Sequence, residues 1–154
     1  MVDITFKIND VEVRKKLKKL NRKSGSLKEP LTEVGDDLLQ FYGKDVFEFK
    51  GKKLGETWKS LSPATLKLRR ERRLHYANAP AATNKILIWT GNLRDGFIKK
   101  VTRTTLTIKN TVSYFKFHQL GTRKAGRRRM LGINKEVITR VVKKLDKYYN
   151  DLIK

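Results

Sequence analysis

The chain has 154 residues, a length that suits one domain, and 38% of them are hydrophobic, which is enough to bury a core. Its 37 Lys and Arg outnumber 15 Asp and Glu, and the resulting net charge of +22 predicts partners that are polyanions or acidic protein surfaces. With no Cys and only two His, the sequence excludes disulfide scaffolds, thiol catalysis and thiolate zinc sites.

The sequence also predicts no membrane association. No apolar run approaches the roughly 20 residues that cross a bilayer. Residues 1–5 lack the pattern of a secretory leader, in which a basic segment precedes an apolar one. We therefore expect a protein that is cytosolic when it is made.

The first third of the sequence predicts a short strand and two helices. Alternating apolar side chains indicate a strand over residues 4–8. Asn9 or Asp10 is a suitable cap for a following helix, whose outer face is strongly basic and which ends near residue 24. Apolar residues recur every three or four positions over residues 30–49, which predicts the main core helix of this half.

Cap and turn signals dominate the middle of the sequence. Ser62 followed by Pro63 predicts the start of a helix that reaches about residue 73. Residues 76–84 have no hydrophobic period, so we expect a mobile loop there. Residues 90–94 predict a turn into a helical segment that reaches residue 97.

A hairpin and an aromatic segment follow. Residues 98–102 and 105–109 have the pattern of two paired strands. The aromatic segment, residues 114–120, is closed by Gly121, and a basic loop over residues 122–129 comes next.

A long helix is predicted at the C-terminus. Asn134 is a suitable cap, and the apolar stripe from Ile138 to Leu152 is expected to cover the sheet. The predicted fold class is therefore α+β. A small antiparallel sheet packs with a long helix from the first half of the chain and with the C-terminal helix, in one domain that spans residues 1–154.

Candidates for catalysis are few. Asp36 and Asp37 are adjacent on a predicted helix, so their side chains diverge by about 100° and do not share one metal or proton. His75 is expected to be an ordinary exposed histidine. His118 has no second His or carboxylate near it in sequence, so we expect a partly buried, hydrogen-bonded side chain. Two single glycines are expected to permit turns at positive φ: Gly91 and Gly121.

Three basic clusters, over residues 15–23, 67–73 and 123–129, allow two interpretations. Lys and Arg in such clusters neutralise phosphates and release counterions when a protein binds nucleic acid. They are equally typical of solvated faces that keep a protein soluble. For the first helix the solvated face is favoured, and for residues 123–129 both interpretations stay open.

Four segments, in this order, resemble the tailed-phage virion morphogenesis family. Residues 55–65 have the pattern Gly-x-x-Trp-x-x-Leu-Ser-Pro-x-Thr, and residues 86–95 are similar to the family's Ile-Leu-x-x-Thr-Gly-x-Leu-Arg stretch. Residues 114–121 resemble its Tyr-Ala-x-x-His-Gln-x-Gly element. Residues 129–133 align with Pro-Ala-Arg-Pro-Phe-Leu-Gly, but the prolines are replaced by Arg and Met, which makes this segment more cationic and less rigid.

The resemblance implies a structural virion protein and no enzyme: a tail completion or neck component that forms a ring, with sixfold symmetry, at the head-to-tail joint. The implied partners are further copies of the chain, the tail tube or tail terminator and the head connector, and a contact with packaged DNA is left open. The implied location is the virion tail or neck, after assembly in the host cytoplasm. No cofactor, metal or catalytic residue is implied.

Two sets of residues carry these expectations. The family motifs include Trp58, Thr90, Gly91, Leu93, Leu131 and Gly132. The residues expected to contact a partner or a neighbouring subunit are His118, Gln119, Gly121, Arg123, Lys124, Arg127, Arg128 and Arg129. For the first three of these, a purely local role in fixing a turn is an equal alternative.

Two further expectations complete the analysis. The loops over residues 76–84 and 122–129 are expected to stay outside the packed domain until a ring forms. The main alternative function is sequence-nonspecific DNA binding, for which the positive charge is sufficient cause. A nuclease is a third alternative, and it lacks a carboxylate and histidine cluster.

Overall fold

A computed structural model describes residues 11–71, 85–123 and 126–152 of the chain, together with all their side chains except those of residues 23, 24 and 152. Within these residues the fold is α+β, as predicted. The helices are α1 (Val11–Ser24), α2 (Lys28–Gln40), α3 (Val46–Glu48), α4 (Pro63–Arg70), α5 (Asn92–Asp95), α6 (Phe115–Leu120) and α7 (Lys135–Leu152), and the strands are β1 (Phe97–Val101) and β2 (Leu106–Asn110). The strand predicted over residues 4–8 and the loop predicted over residues 76–84 lie outside the described residues.

Two helices begin where the sequence signals place them. The Ser62 hydroxyl accepts a hydrogen bond from the backbone N–H of Thr65 at 3.2 Å, and Pro63 occupies the first turn of α4. The side-chain oxygen of Asn134 accepts from the backbone N–H of Val137 at 3.1 Å, which starts α7. Both caps satisfy amide groups that have no partner inside the helix.

The long helix predicted over residues 30–49 is present, with one irregularity. A π-helical turn, Phe41–Asp45, joins α2 to α3, and the amide of Val46 donates to the carbonyl of Phe41 five residues earlier. A turn of this width places residues five apart on the same side of the helix. As a result Phe41 and Val46, and likewise Tyr42 and Phe47, are all buried in the core.

The two strands pair antiparallel, and Phe97 faces Asn110 while Val101 faces Leu106. The hydroxyl of Thr102 accepts from the amides of Thr104 and Thr105, which closes the hairpin turn. The predicted helical segment ends at Asp95 and does not reach Phe97, so that expectation is wrong. Phe97 is instead the first residue of β1. Its ring packs in the core, with its centroid 6.0 Å from that of Tyr42 and 5.8 Å from that of Phe115.

The partners of α7 also differ from the prediction. Its stripe of Val137, Val141 and Leu145 is buried, but it packs against α1 and α2 instead of covering the sheet. Arg140 extends this contact, since it pairs with Asp45 at 2.9 Å and lies 4.7 Å above the ring of Phe41. A cavity of about 300 Å³ remains between α1, α2, β2 and α7. No helix in the described part of the chain is long and apolar enough to cross a membrane.

Candidate protein-interaction site

Trp58, from the first of the four resembling segments, contacts the last of them. Its ring packs edge-on against Phe47 with the centroids 5.3 Å apart, and its indole Nε1 donates to the backbone carbonyl of Arg129 at 3.0 Å. The backbone N–H of Trp58 donates to the carbonyl of Lys50. The bend after α3 is therefore tied directly to the segment that precedes α7.

Gln119, from the third motif, holds the same segment from the other side. Its carboxamide oxygen accepts from the amides of Met130 at 2.8 Å and Leu131 at 3.1 Å, while its Nε2 donates to the carbonyl of Leu131 at 2.5 Å. The residue is only 5% exposed. Its side chain is thus committed to contacts inside the subunit, which supports a local structural role over direct contact with a partner.

Two glycines lie where the backbone comes close to other residues: Gly121 and Gly132. Gly121 has a φ of 80°, as expected for a turn, and a Cβ there would lie 3.0 Å from the backbone nitrogen of Arg127. The carbonyl of Gly132 accepts from the Tyr42 hydroxyl at 2.6 Å. Burial raises the pKa of this hydroxyl above its ordinary value, so it remains a donor.

The second motif fixes the entry to the hairpin. Gly91 has a φ of 89° immediately before α5, as expected for a turn, and the hydroxyl of Thr90 lies 3.4 Å from the amide of Asn92. Leu93 is buried, and its carbonyl accepts from the side-chain amide of Asn110 at 2.7 Å. The motif therefore connects α5 to the end of β2.

The basic loop is only partly a solvent-exposed surface. Arg123 is exposed, and Lys124 lies outside the described residues. Arg127 pairs with Glu56 at 3.0 Å, and the amide of Arg128 donates to the carbonyl of His118 at 2.7 Å. The guanidinium group of Arg129 lies against Gly132 and donates to Ile133. The expectation that the whole loop stays outside the packed domain is therefore wrong for residues 127–129, because these contacts attach them to the rest of the fold.

A patch of exposed apolar side chains lies on α6 and was not anticipated from the sequence. Phe117 is 51% and Leu120 is 68% exposed, and Tyr114 just before the helix is also exposed. Positions three residues apart lie on the same side of a helix, so these side chains form one apolar face. The nitrogen of Lys116 lies 5.1 Å from the ring of Phe117 and gives the face a cationic border. The spacing of three between residues 114, 117 and 120 is the sequence signal that could have indicated this apolar face.

His118 lies between this face and the core. It is half-buried, as predicted, but its Nδ1 is enclosed and without a partner, and no hydrogen bond of the imidazole is found among the described residues. The prediction of a hydrogen-bonded side chain is therefore wrong. Burial, assisted by the nearby charge of Arg128, lowers the pKa of His118 below its ordinary value. The imidazole is therefore neutral at physiological pH. His75 lies outside the described residues.

The two adjacent carboxylates of α2, Asp36 and Asp37, pair with different cations. Asp36 pairs with Lys99 on β1 at 2.6 Å, whereas Asp37 pairs with Arg140 on α7 at 3.5 Å. The predicted divergence of these two side chains is confirmed. In the described part of the chain no group of His, Cys, Asp and Glu side chains could hold a metal ion.

Comparison with protein-family models, with curated protein sequences and with solved structures returns no match for this chain.

Proposed function

We propose that this chain is a structural virion protein of a tailed phage, a tail completion or neck component that forms a ring at the head-to-tail joint. The observation that carries the proposal is the meeting of three resembling motifs around one segment. Trp58 and Gln119 bind the backbone of residues 129–131, although they are 61 positions apart in the chain. Motifs that act together in space support the resemblance better than motifs that agree only in sequence.

The surface beside this scaffold supports a role in assembly. Phe117 and Leu120 expose an apolar face on a short helix that Gln119 anchors from within. A rigid, partly apolar face bordered by cations is typical of a protein contact site. In the proposed ring, this face meets a neighbouring subunit or the end of the tail, and the basic residues around it meet acidic groups there.

Immunogold electron microscopy of purified virions tests the location. Antibody against this chain is expected to label a single position, at the joint between head and tail. Native mass spectrometry of detached tails is expected to show a multimer of this chain. Labelling of the capsid shell or of the distal tail tip, or complete absence of the chain from virions, would contradict the proposal.

A second candidate function is sequence-nonspecific DNA binding, which the surfaces of α1 and α7 favour. These helices pack side by side, and each exposes a basic face: Arg14, Lys15, Lys18, Lys19 and Arg22 on α1, and Lys135, Lys143 and Lys147 on α7. Such faces suit contact with a phosphate backbone. The dependence of duplex binding on salt, combined with an assay of head-to-tail joining, separates the two functions.

A further inference from the structure

The cavity between α1, α2, β2 and α7 has a volume of about 300 Å³ and is partly open to solvent. Most of the side chains that line it are aliphatic. An engineered apolar cavity of roughly 150 Å³ holds a benzene molecule, so this one has room for more than one large side chain. Protein interiors are close-packed and contain few voids larger than a water molecule. The cavity is therefore a place where a further apolar segment fits.

The cavity lies beside an edge of the sheet to which no strand is paired in the described part of the chain. The amide of Thr102 donates to the carbonyl of Thr105 across the hairpin turn. Residues bonded in this way recur at every second position of an antiparallel pair, so the backbone of Thr107 also faces β1. The amides and carbonyls of Leu106 and Ile108 point the other way, and they form what we call the outer edge of β2.

The sequence directly before α1 has the pattern of a strand that suits this edge. Its apolar residues Ile4, Phe6 and Ile8 alternate with Thr5 and Lys7, so a strand over these positions has one apolar and one polar face. Two strands alone form a marginal sheet, and a third strand with an apolar face stabilises it. The apolar face requires a surface to cover, which the cavity provides.

The connection to α1 is short enough for this segment to reach the cavity. Val13 and Leu17 line the cavity from α1, and Val13 is only two positions after the first residue of that helix, Val11. Ile8 precedes Val11 by three positions, and three residues of extended chain span at most about 11 Å. A strand that ends at Ile8 is therefore held beside the cavity of its own chain.

We propose that residues 4–8 form a third strand, which pairs with the outer edge of β2 and places Ile4, Phe6 and Ile8 in the cavity. The occupant is the segment of the same chain, because the short connection keeps it next to its own β2. The strand also brings the sheet against the apolar stripe of α7, which lines the same cavity. This inference does not depend on the function proposed above.

Amide hydrogen exchange of the full chain, followed in nitrogen–proton correlation spectra, tests the pairing. Slow exchange is expected for the amides of Leu106 and Ile108, because the third strand accepts their hydrogen bonds. Phe6→Ser removes the central apolar side chain and is expected to speed their exchange at least about tenfold relative to the Thr107 amide, which donates to β1. Lys7→Ser changes the opposite face and is the control, expected to exchange like the parent.

Contacts in the parent protein give a second measurement that does not depend on the folding of a variant. Nuclear Overhauser effects are expected between the ring of Phe6 and methyl groups that line the cavity, such as those of Leu17 and Val141. A mixture of isotope-labelled and unlabelled chains separates contacts within one chain from contacts between two chains.

Three outcomes would overturn the proposal. Equal exchange of the Leu106 and Ile108 amides in the parent and in Phe6→Ser would show that residues 4–8 do not pair with β2. Absence of contacts between the Phe6 ring and the cavity would show that another group occupies it. Contacts found only between labelled and unlabelled chains would assign the strand to a second copy of the chain.

Discussion

Gln119 holds the segment before α7 through three hydrogen bonds of its carboxamide. One carboxamide satisfies two backbone donors and one backbone acceptor on Met130 and Leu131, in a buried position. A carboxamide carries an acceptor oxygen and a donor NH₂ group side by side, so one side chain serves both kinds of backbone group. From the sequence, Gln119 was grouped with surface residues expected to contact a partner, because a motif does not reveal whether a polar side chain points inward.

Gln119→Ala is expected to lower the free energy of unfolding by about 3 kcal/mol, because it leaves buried backbone groups without partners. Gln119→Glu is the informative comparison. A carboxylate still accepts from the amides of Met130 and Leu131 but does not donate to the Leu131 carbonyl, so this variant is destabilised as well. Urea denaturation monitored by tryptophan fluorescence measures both values. A Gln119→Ala variant as stable as the parent would show that water replaces these hydrogen bonds.

His118 makes the stability of the fold depend on pH. Burial, followed by the charge of Arg128, lowers its pKa in the folded state, so the unfolded chain takes up the proton more readily. Its contribution to stability is therefore complete above the unfolded pKa, near 6.5, and is lost as pH falls toward the lower folded pKa. We expect the parent to lose stability below pH 6.5 more steeply than His118→Gln does. Parallel curves for the two proteins in phosphate-free buffer would contradict this.

At the scale of elements, the sequence predicted what local signals determine. The helix over residues 30–49, the hairpin and the cap at Asn134 follow from hydrophobic period, strand alternation and a short polar side chain, and all three are present. The π-helical turn at residues 41–45 was not predicted, because the apolar residues around it also fit the ordinary helical period of three or four.

Long-range packing accounts for the elements and contacts that the sequence did not reveal. The periodic stripe of α7 predicted a buried face correctly but did not identify its partners, which are α1 and α2. Likewise, Arg69 belongs to a run of cations that suggested a solvated helix end, yet it is buried above Trp89. Such placements depend on residues far away in the chain, which neither period nor spacing encodes.

Leu145→Ala tests the role of α7 as a core element. Leu145 is fully buried and lines the cavity between α1, α2, β2 and α7, so truncation enlarges an existing void. We expect a loss of about 3 kcal/mol and a melting temperature lower by roughly 10 °C. Lys143→Ala, an exposed position on the same helix, is the control and is expected to melt like the parent. Equal melting of both variants would place the stripe of α7 at an interface between molecules.

At the scale of the whole molecule, many of the carboxylates in the described part of the chain pair with cations of the same subunit. Asp146 pairs with Lys16 between α7 and α1, Asp36 with Lys99, and Asp45 with Arg140. Most of the net charge of +22 is consequently borne by cations that no internal carboxylate neutralises. Copies of such a chain repel one another, so a ring of them requires acidic partners or DNA to supply counter-charge.

The two candidate functions differ in which cations are needed, and two sets of substitutions distinguish them. Arg128 and Arg129 pack against the fold, so replacing them would mix loss of charge with loss of structure. Arg123→Ser with Arg127→Ser removes the two exposed cations in the described part of the basic loop, at the cost of one surface ion pair, with Glu56. Replacing Lys15, Lys18, Lys19 and Arg22 by Ser removes most of the basic face of α1.

If a set of cations binds DNA phosphates, its removal makes the slope of log affinity against log salt concentration less steep. The slope changes by about 0.9 for each phosphate contact that is lost. The loop variant would then lose about 2 units of slope and the α1 variant about 4, measured with a DNA duplex between about 50 and 200 mM salt. We expect an unchanged slope for the loop variant and a failure of head-to-tail joining in a complementation assay, because acidic groups of a partner lose their counter-charges. Intact joining by a loop variant that no longer binds DNA would reverse this assignment and favour the DNA-binding function.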